Sequence, residues 1–525
     1  MGDFAEMENN NVSFFLYIYV FSSFVHVHEA HFLSLINVMQ KATARRREAA
    51  SAEVEVDRLS KLPDHILLNI LERVGTLDAL RTCILSKRML KLPLMLSLLN
   101  IDIGSLARYI KPNVDTIDRI FQYNIAVAAI TDKVLSARNP EIPIRKLRVR
   151  FCLRPDECLS ISQAVARAMA THKKLDVAEF VVLTEKICMK CTEDHLLCYA
   201  KRFNTWIGDC PVVFAGLTHL WLRNLRFGEL DIPNILTTCK RLESLRLTYC
   251  DAGVCSVLQV EHAQLVELHI DYGEFEAVHL NCLPKLQRVK YVGWSYQEYP
   301  LIFGSVPQLS KLTLEQVGVN STSHIQLSQL LANVPWISDL RLDFKSEKIW
   351  VLPEHPKLLA PVLGKLQIVN LDNLPQGCDI AWTMFILEAA SSLKELCITV
   401  WDHLCKMETD KDVRKELGYC EKANVEWQPS TVHFKHKNLV KLTVYGFQPE
   451  DNFVRYVRRM MEIAENMKEI SLYDWKVCKR CRDLDPSIKA CPSRYPRTSE
   501  EMDMLREEIT KELPMASPAM IHFRS

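Results

Sequence analysis

Cysteine supplies the most reactive side chains in this sequence, and four of them stand in pairs. Cys188 and Cys191 form one Cys-x-x-Cys and Cys478 and Cys481 another, with Cys198 and Cys491 close to them along the chain. Two thiolates at that spacing can reach a single zinc ion, but a closed zinc site needs a second pair of ligands at finger-like spacing. Neither pair has one, so no metal site is expected. The 18 cysteines are scattered through 525 residues, which is not the dense framework of a small disulfide scaffold. They read as reduced, mostly buried thiols. No glycine-rich phosphate loop and no nucleophile elbow occurs, and the whole chain holds 15 glycines. The expectation is a chain with no catalytic residues and no cofactor.

Charge narrows the partners. Lys plus Arg number 65 against 64 Asp plus Glu, so no global basic field favours a polyanion, and no nucleic-acid partner is expected. With 48% hydrophobic and 25% charged residues the chain has the composition of a folded protein. At about 150 residues per domain, its length implies two to four units or one extended array.

Residues 1–56 read as an N-terminal extension and solvated leader. The apolar stretch from Val12 to Met39 follows Asp3, Glu6 and Glu8, no Lys or Arg precedes Lys41, and His26, His28, Glu29, His31 and Asn37 interrupt it. That fits neither a signal peptide nor a membrane span. Translation is expected to begin at Met39, leaving residues 1–38 untranslated, and no membrane partner is expected.

The elements that would position any functional surface come from a repeated triplet, an apolar residue followed by others three and then two positions on. Clear copies are Leu217, Leu220, Leu222; Leu242, Leu245, Leu247; Leu265, Leu268, Ile270; Leu286, Val289, Tyr291; and Leu309, Leu312, Leu314. Weaker or later ones are Ile144, Leu147, Val149; Ile337, Leu340, Leu342; Leu363, Leu366, Ile368; Leu393, Leu396, Ile398; Leu439, Leu442, Val444; and Met467, Ile470, Leu472. The early copies recur every 21 to 25 residues, the period of leucine-rich repeats. In such a triplet the last two residues alternate inward along a short strand, so each unit buries its leucines only by stacking on its neighbours. The expected array is a solenoid over residues 144–475, made irregular by few ladder residues beyond Cys250 and by an insertion before Leu439. Side chains between the inward leucines point outward on a concave face. Trp221, Arg223, Arg246, His269, Asp271, Arg341 and Asp343 are the candidates there for holding a client protein.

Residues 57–100 differ in character. Pro63 suits the first position of a helix whose apolar stripe is Leu62, Ile66, Leu67, Ile70, Leu71 and Val74. Gly75 is placed to end it in a left-handed cap, Thr76 to cap a second short helix, and Ser86 to cap a third. Three short helices cannot bury so many apolar side chains on one another, so the surplus stripe requires a partner. A helical connector is expected over 101–143 and a tail over 476–525.

The order and spacing of Leu62-Pro63-Asp64, Ile66-Leu67, Ile70-Leu71 and Arg81-Thr82-Cys83-Ile84-Leu85-Ser86-Lys87-Arg88 resemble the plant F-box. The stretch His436-Lys437-Asn438-Leu439, Tyr445-Gly446-Phe447, Asp451-Asn452-Phe453 and Ile470-Ser471-Leu472-Tyr473 is similar to the FBD-like region of many plant F-box proteins, here at about 431–475. Cys491-Pro492-Ser493-Arg494-Tyr495-Pro496-Arg497 continues that similarity. The resemblance implies an α/β fold: a three-helix F-box followed by an irregular leucine-rich-repeat solenoid, with parallel strands on its concave face and helices or loops on its convex face. It also implies that Leu62, Pro63, Ile66, Leu67, Ile70, Leu71, Leu80, Leu85 and Ser86 dock on a Skp-family adaptor and through it a cullin. The chain would then recognise a protein client for a ubiquitin ligase in the cytoplasm or nucleus. Met89 stands where the family usually has Trp, a departure that bears on the strength of docking more than its mode. The alternative is a leucine-rich-repeat interaction module that no longer recruits a ligase.

Overall fold

The computed structural model describes residues 61–82, 88–89, 91–106, 116–171, 174–253, 255–294, 299–316, 325–347, 349–376, 378–401, 405, 410–416, 434–474, 478, 481, 494–511, 513 and 520–524. The expectations for residues 1–56, including the start at Met39, and the Ser86 cap lie outside them. Among the described residues no helix is long and apolar enough to cross a membrane. The chain divides into two compact units, 1–226 with 237–243, and 227–236 with 244–525.

The first unit opens with helices α1 (Asp64–Val74) and α2 (Thr76–Arg81). Pro63 is the N-cap of α1 and not its first helical residue. Gly75 separates the two helices at φ +91° and ψ 156°, a positive-φ conformation outside the expected left-handed helical region and open to glycine because it lacks Cβ. Thr76 lies inside α2 and does not cap it; its hydroxyl accepts the Asn100 N–H at 2.7 Å. A short 3-10 turn, Leu92–Met95, leads into β1 (Leu98–Asp102) and α3 (Ile103–Leu106). The connector is therefore not wholly helical. It opens with the last two residues of β1 before α3 and α4 (Thr116–Ser136), because Leu96, Leu99 and Ile101 are themselves a buried triplet that spans the expected boundary.

From there the chain alternates β2 (Ile144–Cys152), α5 (Pro155–Thr171), β3 (Leu175–Leu183), α6 (Glu193–Asp209), α7 (Pro211–Gly216) and β4 (His219–Arg223). The strands pair in parallel in the order β1-β2-β3-β4. Inward residues of β2 and β3 meet the helices in an aromatic core in which Trp206 stacks on Phe180 with ring centroids 5.7 Å apart. Phe151, Phe203 and Phe214 meet its edges, and its indole N–H donates to Ser162 Oγ at 2.8 Å, so the polar end of the buried ring is satisfied.

The second unit takes in most of α8 (Asp231–Thr238) and builds one long sheet in parallel register. Its strands are β5 (Ser244–Thr248), β7 (Glu267–Asp271), β9 (Arg288–Trp294), β11 (Lys311–Gln316), β12 (Asp339–Asp343), β13 (Ile368–Leu374), β14 (Glu395–Val400), β15 (Lys441–Tyr445), β16 (Glu469–Tyr473) and β17 (Met520–Arg524). The triplet residues that point inward are nearly all fully buried, as the period requires. One copy was out of register. Ile368 stands beside Asp339 and Glu395 on the outward side, and the buried triplet is Leu366, Val369, Leu371. Leu363 ends the helix α10 (Pro356–Leu363), whose apolar face imitates the start of a triplet.

The far side of the repeats changes with their length. Early repeats are too short for a helical return: 21 residues separate Glu267 from its register partner Arg288. They use strands instead, β6 (Val257–Glu261), β8 (Ala277–Cys282) and β10 (Leu301–Ser305), which form a second parallel sheet in place of the expected helices or loops. From Lys311 to Asp339 the separation is 28 residues, and helices follow: α9 (Leu327–Leu330), α10, α11 (Met384–Ala389), α12 (Lys411–Glu416) in the insertion, and α13 (Asp451–Ile463). Between the layers Trp294, Trp350, Phe344, Trp382 and Phe385 touch in sequence at centroid distances of 5.0 to 5.8 Å. The segment read as a tail contributes α14 (Ser499–Thr510) and β17, and Tyr495 Oη donates to the Leu472 carbonyl at 2.7 Å.

Candidate functional site

Two surfaces and one cluster of thiols gather the candidate residues. On α1, apolar side chains separate by helical row. Leu67 and Leu71, four apart, are buried inside the first unit. Ile66, Ile70 and Val74 form the adjoining row and are 39%, 38% and 46% exposed, with Pro63 exposed and Leu62 half-buried at its N-terminal end. Of the α1 residues that the resemblance assigns to adaptor docking, Ile66 and Ile70 are therefore on the exposed row, while Leu67 and Leu71 are buried. Leu80 is half-buried on α2; Leu85 and Ser86 lie outside the described residues.

The row is held firmly. Arg88 donates from Nε to Asp64 Oδ1 at 2.7 Å and from Nη2 to the Leu62 carbonyl at 2.6 Å, tying the start of α1. Glu72 Oε1 accepts both the N–H and the hydroxyl of Ser97, at 3.0 and 2.6 Å, and Arg145 of β2 bridges Ser97 and Glu72. Met89 is buried and so is not displayed on the surface.

The second surface is the outward face of the strands. Trp221 and Arg223 lie half-buried on β4 of the first unit. In the second unit the parallel register lines side chains up in rows. One row carries Arg246, His269, Lys290, Thr313, Arg341 and Asn370; the next carries Thr248, Asp271, Val292, Glu315, Asp343 and Asp372. The rows neutralise each other in pairs. Arg246 meets Asp271 at 2.6 Å, Arg341 is paired with Asp372, and Asp343 accepts both the Asn373 amide and the Lys345 N–H. Asp271 is buried beneath its arginine, so it orients Arg246 more than it meets solvent. His269 Nε2 lies 3.1 Å from Glu267 Oε1, and burial holds its imidazole below the ordinary pKa although Glu267 and Asp271 oppose that shift.

Two aromatic residues were missed from the sequence. Tyr445 and Tyr473 occupy the same outward position, one past the last inward residue, as Asp271 and Asp343. Their rings stack with centroids 4.4 Å apart beside Arg524 of β17. The triplet spacing contained this signal, since Tyr445 follows Val444 and Tyr473 follows Leu472.

The cysteine pairs have different fates. Among the described residues Cys188, on a 3-10 turn (Cys188–Lys190), and Cys191, just past it, gather no third ligand, and Cys198 is exposed on α6. Cys478 and Cys481 are joined by Cys405, and the three Sγ atoms all lie within 4.8 Å of one another. Burial and the neighbouring thiols push Cys405 up to about 12.

Comparison with known proteins matches the two parts of the chain separately. The F-box domain model matches residues 59–100, the segment bearing the exposed row, and the model of the At1g61320/AtMIF1 LRR domain matches residues 211–517. F-box/FBD/LRR-repeat protein At1g13570 of Arabidopsis thaliana is 28% identical over 279 residues, covering 49% of this chain and 61% of that protein. F-box/FBD/LRR-repeat protein At5g56420 of the same plant is 27% identical over 248 residues, covering 44% of this chain and 54% of that one. The chain thus matches less than two thirds of the length of these relatives. With the repeat model spanning more than half the chain and the box matched separately, the protein belongs to the plant F-box/leucine-rich-repeat family.

Proposed function

We propose that this chain is the client-recognition subunit of a Skp–cullin–F-box ubiquitin ligase. The observation that carries the reading is the row Ile66, Ile70 and Val74, left exposed on a helix whose adjoining row, Leu67 and Leu71, is buried. Covering the remaining apolar area of each isoleucine is worth on the order of 1 kcal/mol, and closing the row against an apolar groove is the helix-in-groove mode of recognition. A Skp-family adaptor is the partner that the F-box match favours, and a cullin follows through it. The outward rows of the repeats hold a protein client through Arg246, His269, Arg341, Asp343 and, on β4, Trp221 and Arg223. The chain forms no bond itself; ubiquitin reaches the client because both are held on one scaffold, which raises their effective concentration. Its place of work is the cytoplasm or the nucleus.

Co-expression with a Skp-family adaptor tests this. The intact chain is expected to retain the adaptor through size-exclusion chromatography, and Ile70→Asp to lose it at least tenfold, because a carboxylate cannot be buried in an apolar contact without a partner. Ile70 is outward-facing, so the variant should keep the wild-type circular dichroism spectrum. An intact chain that recovers no adaptor would instead identify a repeat module detached from any ligase.

A further inference from the structure

We propose that Cys405, Cys478 and Cys481 form a thiolate zinc site that clips two non-adjacent repeats together. Cys405 follows β14, while Cys478 and Cys481 follow β16, and β15 lies between those strands in the sheet. Strands two places apart are separated by roughly 10 Å, so sheet packing alone does not bring these sulfurs together. Sγ of Cys405 nonetheless stands 3.8 Å from Sγ of Cys478 across 73 residues of sequence.

That separation has a chemical meaning. Two thiolates on one tetrahedral zinc, each at about 2.3 Å, lie roughly 3.8 Å apart, whereas disulfide sulfurs stand at about 2.05 Å. The Cys478-x-x-Cys481 spacing lets both sulfurs of one turn face the same ion, and Cys405 supplies a third donor from a distant part of the chain. Three thiols in mutual contact resist ionising together, since each thiolate repels the next; a divalent cation removes that penalty. Binding exchanges three S–H protons for one Zn²⁺, leaving three Zn–S bonds and releasing three protons to solvent. The three thiolates fill three of four tetrahedral positions, and a water or a further donor completes the set. The ion would close a loop around the β15 repeat and brace the solenoid where its long insertion departs.

The test uses the full-length chain purified from cells grown with zinc. Metal analysis after desalting is expected to find close to one zinc per chain, falling at least fivefold in Cys405→Ser and in Cys478→Ser but not in Cys255→Ser, an exposed cysteine elsewhere. Replacing zinc with cobalt is expected to give the visible bands of a tetrahedral ion and a sulfur-to-cobalt charge-transfer band that weakens in Cys405→Ser. Cys405→His, which keeps a zinc donor, should recover the metal and so separates lost ligation from lost folding. Adaptor recovery from the same preparations should be unchanged, because the site is independent of the box. Three results would overturn the proposal: less than a tenth of a zinc per wild-type chain, undiminished zinc in Cys405→Ser, or a disulfide between any two of the three cysteines in chains alkylated at lysis.

Discussion

His436 shows how a single side chain can set the conditions under which the repeats hold. It is buried, its Nε2–H donates to the Ala390 carbonyl at 3.0 Å, and its Nδ1 accepts N–H groups of Leu439 at 3.0 Å and Asn438 at 3.3 Å. Both ring nitrogens are thus committed to the neutral form, and burial lowers the pKa even though the bond to Ala390 opposes it. For a group whose folded pKa lies below its unfolded value near 6.5, the unfolded chain takes up the proton first. Its contribution is therefore complete above about pH 6.5 and is lost as the pH falls toward the lower folded value. The midpoint of thermal unfolding should fall more between pH 7.5 and 5.5 in the wild type than in His436→Gln; equal falls would show that this histidine does not govern the acid limb. The tyrosine pair makes a second residue-scale prediction. Tyr445→Ala with Tyr473→Ala should reduce the set of proteins captured by proximity labelling under proteasome inhibition while leaving adaptor binding intact. An unchanged set would place client recognition on the charged rows instead.

At the scale of elements, strand burial decides what a substitution costs. Leu312 on β11 is fully buried between neighbouring repeats, so Leu312→Ala should destabilise the second unit by about 2–5 kcal/mol through lost transfer energy and the cavity left behind. Chemical denaturation would measure it, and a loss below 1 kcal/mol would mean that the repeats collapse around the gap. The strand ends have a rule of their own. Two positions after the last inward residue, the backbone turns through positive φ at Asn224, Tyr249, Tyr272, Gly293, Asn373 and Gly446. At Gly293 an added Cβ would stand 2.6 Å from the Tyr272 ring, so this turn needs glycine for space as well as for conformation. The inward leucines were legible because a strand has a period of two. Leu175, Ala178, Phe180 was hidden by its alanine, and Leu96, Leu99, Ile101 by its position against the box. Early returns by strand were not legible, because local apolar alternation does not state which layer it will join.

For the whole molecule, each parallel sheet leaves edges, and a bare strand edge templates pairing with another chain. β17 covers β16, with Phe523 against Tyr495 and Arg524 bound to Glu469 at 3.0 Å. Removing residues 520–525 should lower the unfolding midpoint and promote self-association, read by light scattering; a monomeric truncated chain of unchanged stability would mean that β17 closes nothing.

The inward pattern of most repeats was determined by the sequence itself, since burial along a strand follows from a spacing of two that any chain of this order must satisfy, while the box was read from its resemblance to the plant F-box. Which apolar row of α1 faces out was a tertiary matter, settled by what packs against Leu67 and Leu71. So were the pairing of Arg246 with Asp271 and the arrival of Cys405 beside Cys478. Local periodicity says which side of an element is buried, whereas contacts between residues far apart in the chain exist only once the stacked repeats bring their strand ends together.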